Sequence, residues 1–170
     1  MQYPGYVVSV VGHIGKTKTK IFIDVGVGDA VKPTEITMQL LATEKAPLFE
    51  KDIELWAYPI ESIFAEKFET SVARGNQNSR MKDYHDLLSL IRANALDVEL
   101  LRTAISETFS NRKTVLRRIS FNRSEYETIQ KYWTLYRRNL SDETLNQFSD
   151  DFKIVIDEIN QFMAIGKLDF

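Results

Sequence analysis

The sequence has no cysteine, which excludes a disulfide framework, a thiolate metal site and a cysteine nucleophile. Its only imidazoles, His13 and His85, argue against a zinc or haem centre and leave a hard cation held by carboxylates open. No apolar run approaches the ~20 residues of a membrane-spanning helix. The opening Met1-Gln2-Tyr3-Pro4-Gly5 lacks the basic and apolar regions of a signal peptide. The expected compartment is the cytoplasm, with no membrane partner. Neither sign of charge dominates: 22 basic against 24 acidic side chains give a net charge of −2. Nucleic acid is therefore not announced by global charge, although a local patch is compatible with it. No internal repeat or low-complexity tract is visible. What remains is ordinary soluble protein, 170 residues with 44% hydrophobic and 27% charged side chains. A chain of this size buries about 70% of its unfolded surface, enough for a core without staples.

Strand patterns come first. Tyr6–Val11 and Lys20–Val27 are β-branched runs separated by the turn-forming Gly12-His13-Ile14-Gly15-Lys16, which predicts a hairpin. Alternation places Ile21, Ile23 and Val25 on one face and Lys20, Phe22, Asp24 and Gly26 on the other. Thr34–Ala42, between Pro33 and Pro47, can hold a third strand, and Ile53–Tyr58 a last one closed by Pro59. Helical spacing then takes over. Ile60, Ile63, Phe64, Phe68 and Val72 mark one helix, stopped at Gly75. Met81, Tyr84, Leu87, Leu88 and Ile91 mark a second after the polar link Asn76–Ser79. Asp97 is the expected N-cap of a third, carried by Leu100, Leu101, Ala104, Ile105 and Phe109. A capping box at Ser124 and Glu127 opens a fourth with the stripe Ile129, Tyr132, Trp133 and Tyr136. Phe152, Val155, Ile156, Ile159, Phe162 and Met163 form the last. The fold class is α+β, strands over residues 1–58 and a helical domain over 59–170. So few strands make a small sheet, and isolated hairpins are marginal. Either the helices cover it or further strands belong beside it.

Three clusters could carry chemistry. Lys67 lies on or beside the apolar stripe of the first helix, where a lone lysine usually lays its stem along the core edge. In a cleft it would instead neutralise phosphate as a point charge, with Arg74 extending a cationic row. Arg80, Asp83 and Asp86 recur at three-residue steps on the second helix, with Lys82 able to pair with Asp86 at i,i+4. Taken alone this is a solvated face with weak ion pairs; meeting Lys67, an aspartate could orient the amine or accept a proton. Asp24 sits mid-strand, which costs desolvation unless it is paired, bound to a cation or exposed. Asp29 has the context of a turn residue. Gly12–Thr17 is not a P-loop, since two residues and not four separate its glycines. Arg112, Lys113, Arg117, Arg118 and Arg123, near Phe121, form a basic segment that suits a solvated linker or a nucleic-acid contact.

Together and in order, Ile23-Asp24-Val25-Gly26-Val27-Gly28-Asp29, Tyr58-Pro59-Ile60-Glu61-Ser62-Ile63-Phe64-Ala65-Glu66-Lys67 and Ser79-Arg80-Met81-Lys82-Asp83-Tyr84-His85-Asp86-Leu87 resemble the AbiEii/AbiGii toxin family of nucleotidyltransferases. The later helices, with Trp133 and the Phe152–Met163 stripe, look like that family's helical tail. The resemblance implies a polymerase-β-like fold and a bacterial toxin–antitoxin or abortive-infection toxin. Such enzymes move a nucleoside monophosphate from a nucleoside triphosphate to an acceptor, tRNA in some relatives, with magnesium at the phosphates. It would make Lys67 a triphosphate contact, with Arg74, Arg80 and Lys82 as further nucleotide-binding cations. Asp83 would assist the acceptor or position the lysine, Asp86 would support, and Asp24 would be the strand-borne metal carboxylate. The family's upstream Gly-Ser turn and Asp-x-Asp strand have no counterpart in the residues before Asp24, which contain neither. The expectation is a carboxyl-terminal remnant of a larger sheet and helical tail, inactive alone. It would be completed by an amino-terminal chain, or serve as a non-catalytic module that binds an antitoxin.

Overall fold

The computed structural model describes residues 5–27, 31–39, 46 and 52–168; Asp29 and Pro47 lie outside them. Two compact units divide the chain, Met1–Ala30 and Val31–Phe170.

The first unit holds an antiparallel hairpin of β1 (Gly5–Ile14) and β2 (Thr17–Gly26), in register from Gly5↔Gly26 to Ile14↔Thr17. Gly15 takes φ +58°, while Lys16 does not have positive φ. A glycine at positive φ in the first turn position is the hallmark of the type II′ hairpin, whose twist matches the strands. Both strands run further toward the turn than Tyr6–Val11 and Lys20–Val27, and β2 stops one residue earlier, at Gly26. Gly12 does not break β1 because Gly15 alone supplies the reversal, leaving Gly12 extended opposite Thr19. The register puts Tyr6, Val8 and Val10 with Val25, Ile23 and Ile21 on one face, and Val7, Ser9 and Val11 with Asp24, Phe22 and Lys20 on the other. Both faces are exposed, Ile23 to 48% and Phe22 to 63%.

The second unit begins with β3 (Thr34–Met38) paired antiparallel with β4 (Ile53–Ala57). Six α-helices follow among the described residues, so the α+β expectation holds as two small antiparallel sheets and helices. α1 (Ile60–Arg74) starts after Pro59, whose fixed φ suits a helix entry, and ends at Gly75 with φ +52°. A 3-10 turn, Gly75–Gln77, leads into α2 (Met81–Arg92). Asp97 caps α3 (Val98–Arg112), its carboxylate accepting from the Glu99 and Leu100 amides at 2.9 and 3.0 Å. The capping box of α4 (Arg123–Arg137) is Asn122 with Glu125, not Ser124 with Glu127. Asn122 accepts from the Glu125 amide while Glu125 accepts from the Asn122 amide, at 3.0 and 2.9 Å. Asparagine is as good a cap as serine, so the earlier pair wins. The short α5 (Asp142–Leu145), capped by Ser141, has no apolar stripe to reveal it in the sequence. α6 (Phe152–Ile165) closes the unit.

The core is the sum of these stripes. Phe64 and Phe68 of α1, Tyr84, Leu87 and Leu88 of α2, Leu101, Ile105 and Phe109 of α3, Ile129 and Trp133 of α4, and Phe152 and Ile159 of α6 are buried. Each such side chain contributes about 1.5–3 kcal/mol by leaving water. Leu100 is 60% exposed, because the stripe of α3 runs Leu101, Ile105, Phe109 and Leu100 stands a hundred degrees round the helix. Tyr84 meets Phe152 edge-on at 4.9 Å, Trp133 lies 5.5 Å from the same ring, and the Trp133 indole donates to the Ser149 carbonyl at 2.9 Å. The stretch between α3 and α4 is not a free linker. The Asn160 side chain accepts from the Ile119 amide and donates to its carbonyl, at 3.1 and 2.9 Å, as a neighbouring strand would. No helix is long and apolar enough to cross a membrane among the described residues.

Candidate functional site

The site forms where α1 and α2 lie side by side. Gly75 ends α1, the 3-10 turn reverses the chain, and the Asn78 side chain accepts from the Arg80 amide at 3.1 Å, fixing where α2 begins. Asp83 and Asp86, three residues apart on α2, therefore share the face that meets α1. Lys67 reaches both: its ammonium is 3.1 Å from Asp83 Oδ1 and 2.8 Å from Asp86 Oδ2. Lys82, one turn back, binds Asp86 from the solvent side at 2.8 Å. The lysine does not simply lay its stem along the core edge; it is ion-paired between two helices.

The electrostatics follow from that geometry. Burial by itself would lower the Lys67 ammonium, but the hydrogen bonds and charges of Asp86 and Asp83 outweigh it and hold its pKa above the ordinary lysine value. Burial would likewise raise the Asp86 carboxyl; its bonds to Lys67 and Lys82 win, and its pKa is lowered. Lys67, Asp83 and Asp86 are 23%, 14% and 25% exposed at the side chain, half-sheltered but reachable.

In front of the pair is an open cavity of about 300 Å³ lined by Tyr58, Ile63, Glu66, Lys67, Thr70, Arg80 and Asp83. Ile63 and Thr70, four residues before and three after Lys67 on α1, share its helical face, whereas Glu66 is its chain neighbour a hundred degrees round. Glu66 is held by the Tyr58 hydroxyl and by Arg112, whose guanidinium lies 3.1 Å from it and 2.9 Å from the buried Glu69. Arg112 thus belongs to an ion-pair node between α3 and α1, not to the solvated basic segment. Its role required the fold, because Glu66 and Glu69 are distant in sequence. Beneath the site, Asn78 and Tyr84 are fully buried. The Asn78 amide nitrogen and Tyr84 hydroxyl make no well-formed hydrogen bond, and burial pushes the Tyr84 phenol up even with Asn78 and Ser71 beside it.

Of the residues singled out in the sequence, Lys67, Asp83, Asp86 and Lys82 form one cluster and Arg80 lines its cavity. Arg74 is exposed in the last turn of α1 and does not line that cavity. Asp24 stands mid-strand in the other unit, exposed and opposite Val7. A magnesium ion finds no set of ligands here: no three His, Cys, Asp or Glu side chains cluster among the described residues. The two aspartates that do converge are already neutralised by Lys67 and Lys82. The described residues do not fit a resident metal.

A part-buried lysine is thus fixed between two aspartates at the mouth of an open cavity. A comparison with protein families says what the chain is similar to. Residues 1–158 match the model of the nucleotidyl transferase AbiEii toxin of type IV toxin–antitoxin systems, and the chain belongs to that family. No curated protein and no solved structure matches it. As a toxin of this family it is a nucleotidyltransferase-family protein, of a class typically dependent on a divalent metal, with an antitoxin as its general partner.

Proposed function

We propose that the Lys67 cavity receives the phosphates of a nucleoside triphosphate, from which a nucleoside monophosphate passes to an RNA acceptor such as tRNA, in the cytoplasm. The observation that carries the reading is the meeting of Lys67 with Asp83 and Asp86 at 3.1 and 2.8 Å beside an open cavity that also holds Arg80. Lys67, its charge secured by the aspartates, neutralises phosphate oxygens as the triphosphate enters. Arg80, on the cavity rim, extends the positive field, and Lys82 keeps Asp86 ionised from outside. Asp83 and Asp86 hold the ammonium in place. Asp83, which itself lines the cavity, is also placed to accept a hydrogen bond from an acceptor hydroxyl. Arg74 and Asp24 are proposed as a peripheral cation and a strand carboxylate, with magnesium arriving on the triphosphate.

We assign the lysine–aspartate part of the site and the helical tail to this chain. Supplementing it with a Gly-Ser…Asp-x-Asp segment should give magnesium-dependent transfer of α-phosphorus label from a nucleoside triphosphate to RNA. Lys67→Ala and Asp83→Ala should abolish that transfer; unchanged transfer in both variants would sink the assignment.

One observation favours a second reading, in which the chain is a non-catalytic module completed by an antitoxin or another chain. The hairpin exposes aliphatic side chains on both faces, as a sheet does when its neighbours come from elsewhere. Binding of antitoxin that protects the hairpin amides without any nucleotide binding at Lys67 would select it.

A further inference from the structure

We propose that a second cavity, between the start of α4 and the first turns of α6, holds a base and its phosphate from single-stranded RNA. The cavity measures about 350 Å³ and is lined by Ile119, Phe121, Arg123, Tyr126, Lys153 and Asp157, with Ser120 and Ile156. Its composition is specific. Ile119 and Ile156 are buried and give an apolar floor. Phe121 and Tyr126 are half-buried rings. The Tyr126 hydroxyl is taken up by Asp151 and Gln130, so the ring, not the polar tip, is what the cavity is offered. Two cations stand at the rim. Lys153 is exposed, and among the described residues Arg123 makes a long, highly exposed contact of 3.6 Å to Glu127, which leaves its guanidinium room to turn. Asp157 adds one hydrogen-bond acceptor.

An aromatic surface flanked by cations is how single-stranded nucleic acid is gripped: rings stack on bases and cations take the backbone. Asp157 argues against a site for phosphate alone, since it repels a bare anion; it suits the exocyclic amine of a base. A duplex keeps its bases stacked inside and cannot use the rings. The inference rests on the reading of an RNA acceptor in so far as it says how that strand is held, but it does not require transfer chemistry.

The test is fluorescence anisotropy of the full chain with a short labelled oligoadenylate, in rising salt, against the same probe annealed to its complement. Arg123→Glu with Lys153→Glu removes the cations without endangering the fold, because acidic residues in the first turn of a helix are favourable. The double variant should bind the single strand about tenfold more weakly, and its salt dependence should flatten by roughly one unit of slope. Phe121→Leu, which keeps the packing, should weaken binding by about fivefold. Binding is read without nucleoside triphosphate or magnesium, so failure of the transfer reading and failure of this one are told apart. Equal binding of the duplex, or unaltered affinity in the double variant, overturns the proposal. Loss of binding in Lys67→Ala alone would also overturn it by putting the strand in the first cavity.

Discussion

The hairpin Gly5–Gly26 and the helices after Pro59 are built from equally apolar residues, yet only the helices bury theirs. Ile21, Ile23 and Val25 are 50%, 48% and 39% exposed, whereas Leu101, Ile129 and Trp133 are at 0%. The difference lies in layers. A helical stripe finds another stripe within the same unit, and Phe64, Phe68, Phe109, Tyr84, Trp133 and Phe152 close ring against ring. A two-stranded sheet has two faces and two edges and needs partners for all of them. The same contrast separates the carboxylates. Asp83 and Asp86 lie where helices meet, and each is neutralised by a lysine. Asp24 lies on an open strand face.

The contrast can be broken most forcefully from the helical side. Trp133→Ala should lower the unfolding free energy by about 3–5 kcal/mol, read from urea denaturation followed by far-ultraviolet dichroism. Ile23→Ala, an aliphatic truncation in the hairpin, should stay within about 0.5 kcal/mol. Similar losses in the two variants would mean that the hairpin is buried in solution.

Removing the central cation comes next. Lys67→Met leaves two half-sheltered carboxylates facing one another and should cost about 1–3 kcal/mol. It should also raise the Asp86 pKa, which carboxyl carbon resonances report; an unmoved Asp86 titration would show that the lysine is not its partner.

Proton linkage sharpens the comparison further. Asp86 binds its proton less tightly in the folded chain than the ordinary 3.8. Its stabilisation is therefore whole above that value and lost as pH falls through the lowered folded pKa. Lys67 runs the other way: its raised pKa gives stabilisation that is whole below 10.5 and lost as pH rises through the folded value. Asp86→Asn should flatten the acid limb of a urea-midpoint profile and leave His85 in view. Burial lowers the His85 pKa from 6.5, outweighing the nearby Asp86 charge, and its ring lies against Phe148 at 4.3 Å. Neutral His85 stabilises fully above 6.5, and that contribution is lost as pH falls through the lowered pKa. His85→Gln should remove this step; a persisting step would assign it elsewhere.

The smallest effect is at the end of α3, where Lys113 holds φ +55°. Glycine fits that left-handed position without strain. Lys113→Gly should raise stability by about 0.5–1 kcal/mol in thermal unfolding, whereas a loss would show that the lysine side chain is itself held.

Much of this could be read from residues alone, for physical reasons that differ by element. Stripes such as Phe64-Phe68-Val72 repeat at the helical period, and Asp97 and Gly75 carry cap chemistry in their own side chains. The hairpin was visible in its alternation, but its ends were not, since Gly12 is a breaker only where the chain must turn. The Asn122 cap is masked by Ser124 and Glu127, an adjacent pair with the same capping chemistry, and α5 has no stripe to reveal it. At the site, the residue types at Lys67, Asp83 and Asp86 suggested a meeting, and the i,i+4 spacing of Lys82 and Asp86 predicted their pair. Glu66, Tyr58 and Arg112 could not be joined without the packing of α3 on α1, because no local spacing links them.

The central claim is that Lys67, held by Asp83 and Asp86, receives a nucleotide's phosphates. Its most direct test is magnesium–ATP titrated into the full chain carrying nitrogen-labelled lysine and carbon-labelled aspartate. The predicted result is that the Lys67 ammonium and the Asp83 and Asp86 carboxyl resonances shift together and saturate, while the hairpin lysines stay still. Saturable shifts confined to other lysines, or none at Lys67, would contradict it.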